Sequence, residues 1–352
     1  MGNLNIRRHS LSFGVVPVFL SILFLSLSFL SISSGSVLAK DMCAATDLTK
    51  APAKPVDIRY GLTGGGEEPL ALLWADKAAY PSNGKFYNLK ATRYRPTDRM
   101  AAFQAGQLEA GTISYPGLIT AVHVGMDARG VATLVHVNKI DNEGAFVSLA
   151  GSGIKSVKDF AGKRVGYYGP NTISEYWVRN AMKKAGLNPK NVSFAAMPPP
   201  AQEQALRNKQ IHVAWLARQF LAKARRKGGV QKILTPFQAT GANQPSLLIF
   251  FSQKFVKANP QAFCAWRADY QQALKSWKAN RKASFPKLIK AKYIRPVSAK
   301  AGPDGGRSAG GLMSMNELSS TMKDMESSGF LKSSMVRPVS DLVLTGYALT
   351  SK

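Results

Sequence analysis

The sequence predicts an α/β protein whose mature part folds into two lobes. Strand-like and helix-like patterns alternate from about Val56 to Ala239, which is typical of sheets that carry helices on both faces. The alternation runs as two successive series, one for each predicted lobe. A chain of 352 residues is also long enough for two domains of ordinary size.

The first series begins with "VDIRYGL", in which every second residue is apolar. Similar segments predict further strands, and segments with helical spacing predict the helices between them. "PTDRMAAFQAG" begins with a cap signal and ends at Gly106. We predict strands at 56–62, 87–95, 108–115 and 130–138, and helices at 67–80, at 96–106 and from Pro116.

The second series repeats this order and includes a short helix, a turn and a strand within 156–169. These alternating patterns predict parallel sheets. We predict further strands at 144–150, 191–197, 211–217 and 230–237, and helices at 172–186, at 198–210 and after 217.

From residue 244 onward the pattern becomes mostly helical. Four large apolar residues share one helix face, which predicts packing rather than a cofactor site. The Gly- and Ser-rich segment 297–311 predicts a mobile surface loop. The four apolar residues are Phe263, Trp266, Tyr270 and Leu274.

The first 39 residues form a predicted secretory signal peptide. Two arginines precede an apolar run at 11–32, and the small side chains of Val37 and Ala39 suit a signal peptidase. We predict cleavage before Lys40, which places the mature protein in the periplasm or another extracytoplasmic compartment. An uncleaved membrane anchor is the alternative, because the run approaches roughly 20 residues.

The charge of the chain is strongly basic, with a formal net charge of +27. Such a charge permits nucleic-acid binding, but the basic residues are scattered and no zinc-finger, RNP or helix-turn-helix signature accompanies them. We therefore predict no nucleic-acid partner. A solvated basic surface that favours anionic ligands or the anionic cell envelope fits an exported protein better.

Cys43 and Cys264 are the two cysteines of the chain. In an oxidising compartment they could form a disulfide. The alternative is a buried thiol at Cys264 and a free one at Cys43, and the sequence leaves both open.

Motifs for catalysis and metal binding are missing from the sequence. His123, His136 and His212 have no Cys, Asp or Glu at metal-ligand spacing, and there is neither a G-x-S-x-G motif nor a Walker lysine. We therefore predict a protein that is not an enzyme and that uses no cofactor and no metal.

Glycines and polar residues occur where several predicted strands end, and ligands of open parallel sheets bind beyond these ends. The first is Thr63-Gly64-Gly65-Gly66-Glu67. Glycines let backbone amides approach a ligand, and the following helix adds partial positive charge. Glu67 either complements the helix dipole or meets a donor group of the ligand.

Two other strand ends combine hydroxyl groups, aromatic rings and free amides before a helix. One contains Ser114 and Tyr115, and the other contains Tyr168, Asn171 and Thr172. We predict that these five residues contact the ligand.

Three further candidates complete the predicted site. Trp215 and Arg218 lie near one predicted strand end. Arg218 either offers a planar fork for a carboxylate or sulfonate or is simply solvated. Asn138 lies at the first predicted crossing between the lobes. Thr172 and Glu175 also have the spacing of a capping box, which by itself explains these two residues.

The sequence resembles the substrate-binding proteins of ABC importers. The strongest match is "GIKSVKDFAGKRVGYYGPNT", which is similar to the segment "I-x-S-x-x-D-L-x-G-K-x-V-G" that opens the second lobe in that family. "PTDRMAAFQAGQLEAGTISYPGLITAVHVG", "AMKKAGLNPKNVSF", "ALRNKQIHVAWLA" and the tail "SGFLKSSMVRPVSDLVL" extend the resemblance over roughly 56–345. The subgroup that it resembles handles alkanesulfonates, taurine, nitrate and thiamine-precursor pyrimidines.

The resemblance implies a type II periplasmic-binding fold, with two α/β lobes, two crossings and a ligand in the central cleft. It divides the chain into a signal peptide at 1–39, lobe 1 at 56–146 plus 246–352, and lobe 2 at 147–245. Family contacts carry over to Thr63, Gly64, Gly65, Ser114, Tyr115, Asn171 and Thr172. Where the family usually has an aspartate, this chain has His212.

The resemblance also implies a function. We expect a monomer that captures a small, anionic solute by hinge closure and delivers it to a membrane permease with its ATPase. Two alternatives stay open at this point. One is a secreted enzyme on the same bilobal fold, with His212 as its reactive residue, and the other is a sensor domain that presents the ligand to a receptor.

Overall fold

The computed structural model describes residues 41–140, 144–296 and 304–346, and within them lie ten strands and ten α-helices. The predicted signal peptide and its cleavage site lie outside these described residues. The strands are β1 Val56–Leu62, β2 Tyr87–Arg93, β3 Ala110–Ser114, β4 Ala128–Val137, β5 Gly144–Leu149, β6 Arg164–Tyr167, β7 Ser193–Ala196, β8 Val213–Ala217, β9 Val230–Leu234 and β10 Gln244–Ser252. The helices are α1 Glu68–Ala75, α2 Pro96–Gln104, α3 Tyr115–His123, α4 Ile173–Lys184, α5 Pro199–Arg207, α6 Arg218–Lys227, α7 Pro236–Thr240, α8 Gln253–Ala258, α9 Pro260–Lys290 and α10 Met315–Ser327.

The strands form two five-stranded sheets, with the orders β2-β1-β3-β10-β4 and β7-β6-β8-β5-β9. Each sheet is mixed rather than parallel throughout. In the first sheet β10 runs antiparallel to β3 and β4, and in the second β5 runs antiparallel to β8 and β9. The prediction of parallel sheets was therefore wrong for these two strands, which carry the chain into the second sheet and back into the first.

Strand β10 also differs from the expectation that the chain is mostly helical from residue 244. Its residues "QPSLLIFFS" are almost all buried. A strand that is buried on both faces has no alternation of polar and apolar residues, so its period does not distinguish it from a buried helix.

The predicted lobe boundaries fall inside two strands. Phe146 and Val147, which the sequence divides between lobes, both pair with β8 in the second sheet. Gln244 and Pro245 already pair with β4 in the first sheet. The crossings therefore lie before Gly144 and before Gln244, because a single strand cannot be shared between two separate sheets.

Helices cover both faces of each sheet. On one face of the first sheet, α1 and α9 enclose a core that contains Tyr60, Phe251 and Trp266. On its other face, α3 and α10 belong to a larger core that continues into the second lobe through Trp177 and Trp215. A third core lies under α5 and α6 on the second sheet. The lobes therefore share apolar packing on one side of the molecule.

The long helix α9 buries the face that the sequence indicates, including Phe263, Trp266, Tyr270 and Leu274. Cys264 on the same helix forms a disulfide with Cys43, which decides the question that the sequence left open. Within the described residues, no helix combines the length and the apolar character that a membrane crossing requires.

Candidate functional site

The carboxyl ends of β1, β3, β6 and β8 carry the turns that the sequence predicts as ligand-binding. After β1, the turn contains two glycines with left-handed backbone, Gly64 and Gly66, both at φ 85°. This conformation is strained for other residues, which explains the run of glycines. The turn leads directly into α1, which begins at Glu68.

The amides of this first turn are not free. The buried carboxylate of Glu67 accepts hydrogen bonds from the backbone N–H groups of Thr63 at 2.6 Å, Gly64 at 2.9 Å and Gly65 at 3.1 Å. These three amides therefore already bind an anionic group, which the chain itself supplies.

Tyr293 completes the surroundings of Glu67. Its hydroxyl donates to Oε2 of Glu67 at 3.1 Å. Burial, together with the negative charges of Glu67 and Glu68, raises the pKa of Tyr293 well above its ordinary value. The phenol therefore stays protonated and serves as a donor at all physiological pH values.

Residues 297–303 of the predicted surface loop lie outside the described residues, but residues 304–307 form a wall of the site rather than a mobile loop. Asp304, Gly305, Gly306 and Arg307 are buried or partly buried. Gly306 pairs with His136 at the end of β4, where the two backbones approach so closely that a side chain would not fit. Trp277 donates to Asp304 at 2.5 Å.

Arg307 connects this wall to the first turn. Its side chain is 3 % exposed and donates to the carbonyl oxygens of Gly66 at 2.5 Å and Leu134 at 2.6 Å. It also forms ion pairs with Glu68 at 3.0 Å and with Asp304 at 3.0 Å. Burial lowers the pKa of Arg307, but the carboxylates of Asp304 and Glu68 outweigh that effect and raise it.

Arg218 of the second lobe contacts the same carboxylates, Glu68 and Asp304. It is the first residue of α6, and its Nη2 lies 3.4 Å from Asp304 and 3.9 Å from Glu68. The next residue, Gln219, approaches Gly65, where an added Cβ atom would lie 3.1 Å from Nε2. The two lobes thus meet at charged side chains beyond the carboxyl ends of β1 and β8.

At the second predicted strand end, after β3, one candidate residue is partly buried and the other lies in the core. Ser114 is partly buried, and its Oγ lies over the first turn of α3, where an added Cβ at Gly117 would lie 3.0 Å away. Tyr115 is fully buried and donates its hydroxyl to the carbonyl oxygen of Leu318 at 2.8 Å. The side chain of Tyr115 therefore serves packing, because its one polar atom is already bonded within the core.

The turn after β6 resembles the first turn in its chemistry. Glu175 accepts a hydrogen bond from the backbone N–H of Asn171 at 2.9 Å and is paired with Arg179 at 2.7 Å. Asn171 has a left-handed backbone, with φ 58°, and is exposed. As in the first lobe, a glutamate at the start of the helix accepts a hydrogen bond from an amide of the preceding turn.

The predicted capping box is not formed. The hydroxyl of Thr172 donates to the carbonyl oxygen of Gly169 at 2.7 Å and lies 2.9 Å from that of Ser174. Ser174 in turn accepts from the backbone N–H of Tyr168 at 3.1 Å. The carboxylate of Glu175 reaches the amide of Asn171 rather than that of Thr172. The left-handed residue turns the amide of position 171 toward the helix, and the spacing alone does not reveal this.

Trp215 belongs to an aromatic cluster rather than to an open surface. It is 1 % exposed and packs against Phe146, Trp177 and Tyr168, with ring centroids at 5.0, 4.9 and 6.3 Å. Tyr168 is partly buried and is the member of this cluster nearest the turn. Contact between Trp215 and a solute therefore requires movement, whereas contact with Tyr168 does not.

Asn138 directly follows the last residue of β4, and its Nδ2 is close to Gly306. His212, by contrast, lies at the amino end of β8, where Nδ1 accepts from the backbone N–H of Arg164 at 2.9 Å. The cleft forms at the opposite end of this strand. The structure therefore separates His212 from the other predicted site residues.

Sequence reasoning missed the contributions of Asp304 and Arg307. Both lie in a Gly-rich segment that composition assigns to a surface loop. The signal that could have found them is the pattern Asp-Gly-Gly-Arg, in which two charged residues flank the close backbone approach.

Comparison with known proteins agrees with this architecture. The sequence model of a family described as NMT1/THI5 like matches residues 89–283, which is more than half of the chain. No curated protein is similar enough in sequence to count as a match.

Several solved structures share the fold. The periplasmic aliphatic sulphonate binding protein SsuA from Escherichia coli has 16% identity and a TM-score of 0.64, with 85% of this chain and 95% of that chain covered. The alkanesulfonate-binding protein SsuA from Xanthomonas axonopodis pv. citri, bound to MOPS, has 14% identity, a TM-score of 0.66 and coverages of 83% and 99%. The periplasmic nitrate-binding protein NrtA from Synechocystis PCC 6803 has 15% identity, a TM-score of 0.63 and coverages of 81% and 84%. The two mixed sheets and two crossings are therefore those of the type II periplasmic-binding-protein fold.

Proposed function

This chain belongs to the NMT1/THI5-like family, and from that premise we propose that it is the extracytoplasmic solute-binding component of an ABC importer. It captures a small solute with an anionic group, such as a sulfonate, between its lobes. The closed protein then delivers the solute to a membrane permease that an ATPase drives. The protein acts as a monomer after removal of residues 1–39.

The observation that carries this proposal is the meeting of the two lobes through Arg218, Glu68 and Asp304. These residues follow strand ends or flank the first turn, where α/β proteins bind ligands. Arg218 comes from one lobe, and both carboxylates come from the other. A solute that enters between them contacts both lobes at once, and the closed form gains contacts that the open form lacks.

The disulfide between Cys43 and Cys264 supports an extracytoplasmic location. Such bonds form and persist in oxidising compartments and are rare in the reducing cytosol. The full chain has a net charge of +27, and loss of Arg7 and Arg8 with the signal peptide leaves 27 − 2 = +25. This charge also supports capture of anions, because a positive field raises the rate at which they reach the protein.

Hinge closure fits the distribution of packing in the molecule. The apolar core shared by α3, α4 and α10 holds the lobes together on one side. On that side, Asp324 of α10 accepts hydrogen bonds from Tyr176 and from Asn180 of α4. The contact at Arg218 consists instead of charged side chains at 3.4 and 3.9 Å, which gain hydration when they separate. We therefore expect opening at Arg218 and pivoting at α10.

Native mass spectrometry tests the proposed function directly. The folded protein, purified without denaturation, should carry a small molecule that dissociates on unfolding, since tight binders retain their ligand. The identified compound should then rebind to stripped and refolded protein with one-to-one stoichiometry in calorimetry. Conversion of that compound into a product by the isolated protein would contradict the proposal, as would a protein that retains and rebinds nothing.

A further inference from the structure

Arg99 is a buried cation whose hydrogen-bonding groups are largely unused. It lies in the first turn of α2 and is 3 % exposed. Neither Nε nor Nη1 has a hydrogen-bond partner among the described residues. Buried charges are normally paired and hydrogen-bonded, and an unpartnered one costs several kcal/mol. A position with this cost calls for an acceptor that the chain itself does not provide.

Two glycines make room for this side chain on the sheet. Gly61 of β1 and Gly111 of β3 are paired neighbours, so the sheet has no side chains at these two positions. The stem of Arg99 covers Gly61 so closely that an added Cβ there would lie 2.6 Å from Cγ. The ring of Phe250 covers Gly111 in the same way, at 3.0 Å. The side chain is therefore held by packing of its stem, and none of the described residues forms an ion pair with it.

The location of Arg99 is the carboxyl edge of the first sheet. Helix α2 begins at Pro96, three residues after β2 ends at Arg93. Gly61, beneath the stem, is the next-to-last residue of β1 and lies two residues before Thr63. Arg99 thus lies against the last part of the strand that enters the predicted ligand-binding turn, and its charge interacts with that of Glu67 in this turn.

Other cations near this edge already have partners, and Arg93 donates to the carbonyl oxygen of Tyr293 at 2.5 Å. Arg218 and Arg307 share Glu68 and Asp304. The charge of Glu67 attracts Arg99, but the Glu67 oxygens accept hydrogen bonds from three turn amides and from Tyr293. Burial lowers the pKa of Arg99 and Glu67 opposes that effect, and an arginine in a protein stays protonated.

We propose that the guanidinium of Arg99 binds the anionic group of the solute, as the anion-binding residue of the first lobe. This inference rests on the proposed function and makes it specific. A sulfonate, carboxylate or nitrate presents two oxygens to a guanidinium, which matches the planar fork of arginine. Glu67 and Glu175 already accept hydrogen bonds from backbone amides of the two turns. The anionic group of the solute therefore binds to the guanidinium rather than to these amides.

The substitution Arg99→Met distinguishes a ligand-binding arginine from a structural one. Methionine keeps most of the apolar stem and removes the buried charge. If the charge awaits a ligand, the unliganded variant should be more stable than the wild type, since replacement of an unpaired buried charge by an apolar group removes its desolvation cost. A structural arginine would give a lower melting temperature instead. Arg95→Met, at the exposed start of the same helix, is the matched control.

The second measurement uses defined anions as probes. Sodium propane-1-sulfonate, sodium nitrate and sodium propionate are compared with sodium chloride at equal ionic strength, by thermal shift and by calorimetry. At least one probe should stabilise the wild type and the Arg95→Met control, and Arg99→Met should lose at least about 30-fold in affinity for it. Arg99→Lys keeps the charge but loses the fork, and should lose about tenfold.

The outcomes separate this inference from the proposed function. If the probes stabilise the wild type and Arg99→Met equally, Arg99 does not bind the anion, while the proposed function stands. An Arg99→Met variant that is less stable than the wild type without any probe, or does not fold, also overturns the inference. If no probe stabilises the wild type, the anionic solute of the proposed function fails, and the role of Arg99 fails with it.

Discussion

Arg218 and Asp304 belong to different lobes, and Nη2 of the arginine lies 3.4 Å from Oδ1 of the aspartate. Asp304 is tied to the first lobe through Trp277 and Arg307. Arg218 begins α6 directly after β8 of the second sheet. The pair therefore spans the interface at which the proposed opening occurs.

We predict that Arg218→Gln shifts the unliganded protein toward an open form. The variant loses the ion pairs that join the lobes, while Asp304 and Glu68 keep Arg307 as their partner. Small-angle scattering should show a larger radius of gyration than for the wild type. Stability should fall by less than about 1 kcal/mol, because both ion pairs are long and both carboxylates stay paired with Arg307.

Arg226→Gln on the exposed side of α6 is the control for this experiment. It removes the same charge from the same helix without touching the first lobe. A radius of gyration that stays unchanged in Arg218→Gln would contradict the assigned opening. An equal expansion in both variants would show that net charge, rather than the interlobe pair, sets the dimensions.

Glu67→Gln should strongly destabilise the protein. The carboxylate accepts hydrogen bonds from three backbone N–H groups and from Tyr293, and an amide cannot accept all of them. We expect a loss of roughly 2–3 kcal/mol in the free energy of unfolding, measured with urea, since hydrogen bonds to a charged group are among the strong ones.

Glu175→Gln provides an internal comparison for that loss. Glu175 serves one turn amide, that of Asn171, and one ion pair, with Arg179. We expect a smaller loss, about 1 kcal/mol. A loss at Glu175 equal to or larger than that at Glu67 would show that the number of amides does not determine the effect.

Much of the fold could be predicted from the sequence because the strands and helices have strong local patterns. Periods of two and 3.6 residues locate β1 and the buried face of α9. Strand β10 has no such period, since both of its faces are buried. The direction of β5 and β10 depends on the path of the crossings, and this path is not a local property.

The candidate site could be located from the sequence but not described in detail. Strand ends and glycines indicate the turns at Thr63 and Asn171, and both lie at carboxyl ends of strands. The carboxylate of Glu67 bonds to amides of its own turn only because the backbone has particular angles there. The residue types allow these angles but do not require them. Tyr115 and Trp215 illustrate the same limit, because a large side chain at a strand end can point either way, and here both are buried.

The disulfide should contribute substantially to stability. It joins residues that are 221 positions apart and fixes the N-terminal segment against α9. Cys43→Ser together with Cys264→Ser should lower the free energy of unfolding by roughly 2–5 kcal/mol, the usual effect of losing a native disulfide. Reductant should lower the melting temperature of the wild type to that of the variant and leave the variant unchanged. A variant as stable as the oxidised wild type would refute this contribution.

Asp304 should make stability depend on pH in the acid range. Burial acts to raise the pKa of Asp304, but the charges of Arg307 and Arg218 and the hydrogen bonds from Arg307 and Trp277 outweigh it and hold the pKa below the ordinary value of 3.8. The unfolded chain then binds a proton more readily than the folded one, so stability rises with pH across this window. The contribution is complete above the unfolded pKa and is lost as the pH falls through the folded pKa. We expect the difference in free energy of unfolding between the wild type and Asp304→Asn, measured with urea, to stay constant from about pH 6 to pH 5. Below about pH 4 the difference should shrink. If the difference below about pH 4 equals the difference at about pH 6, the ionised form of Asp304 does not stabilise the folded state.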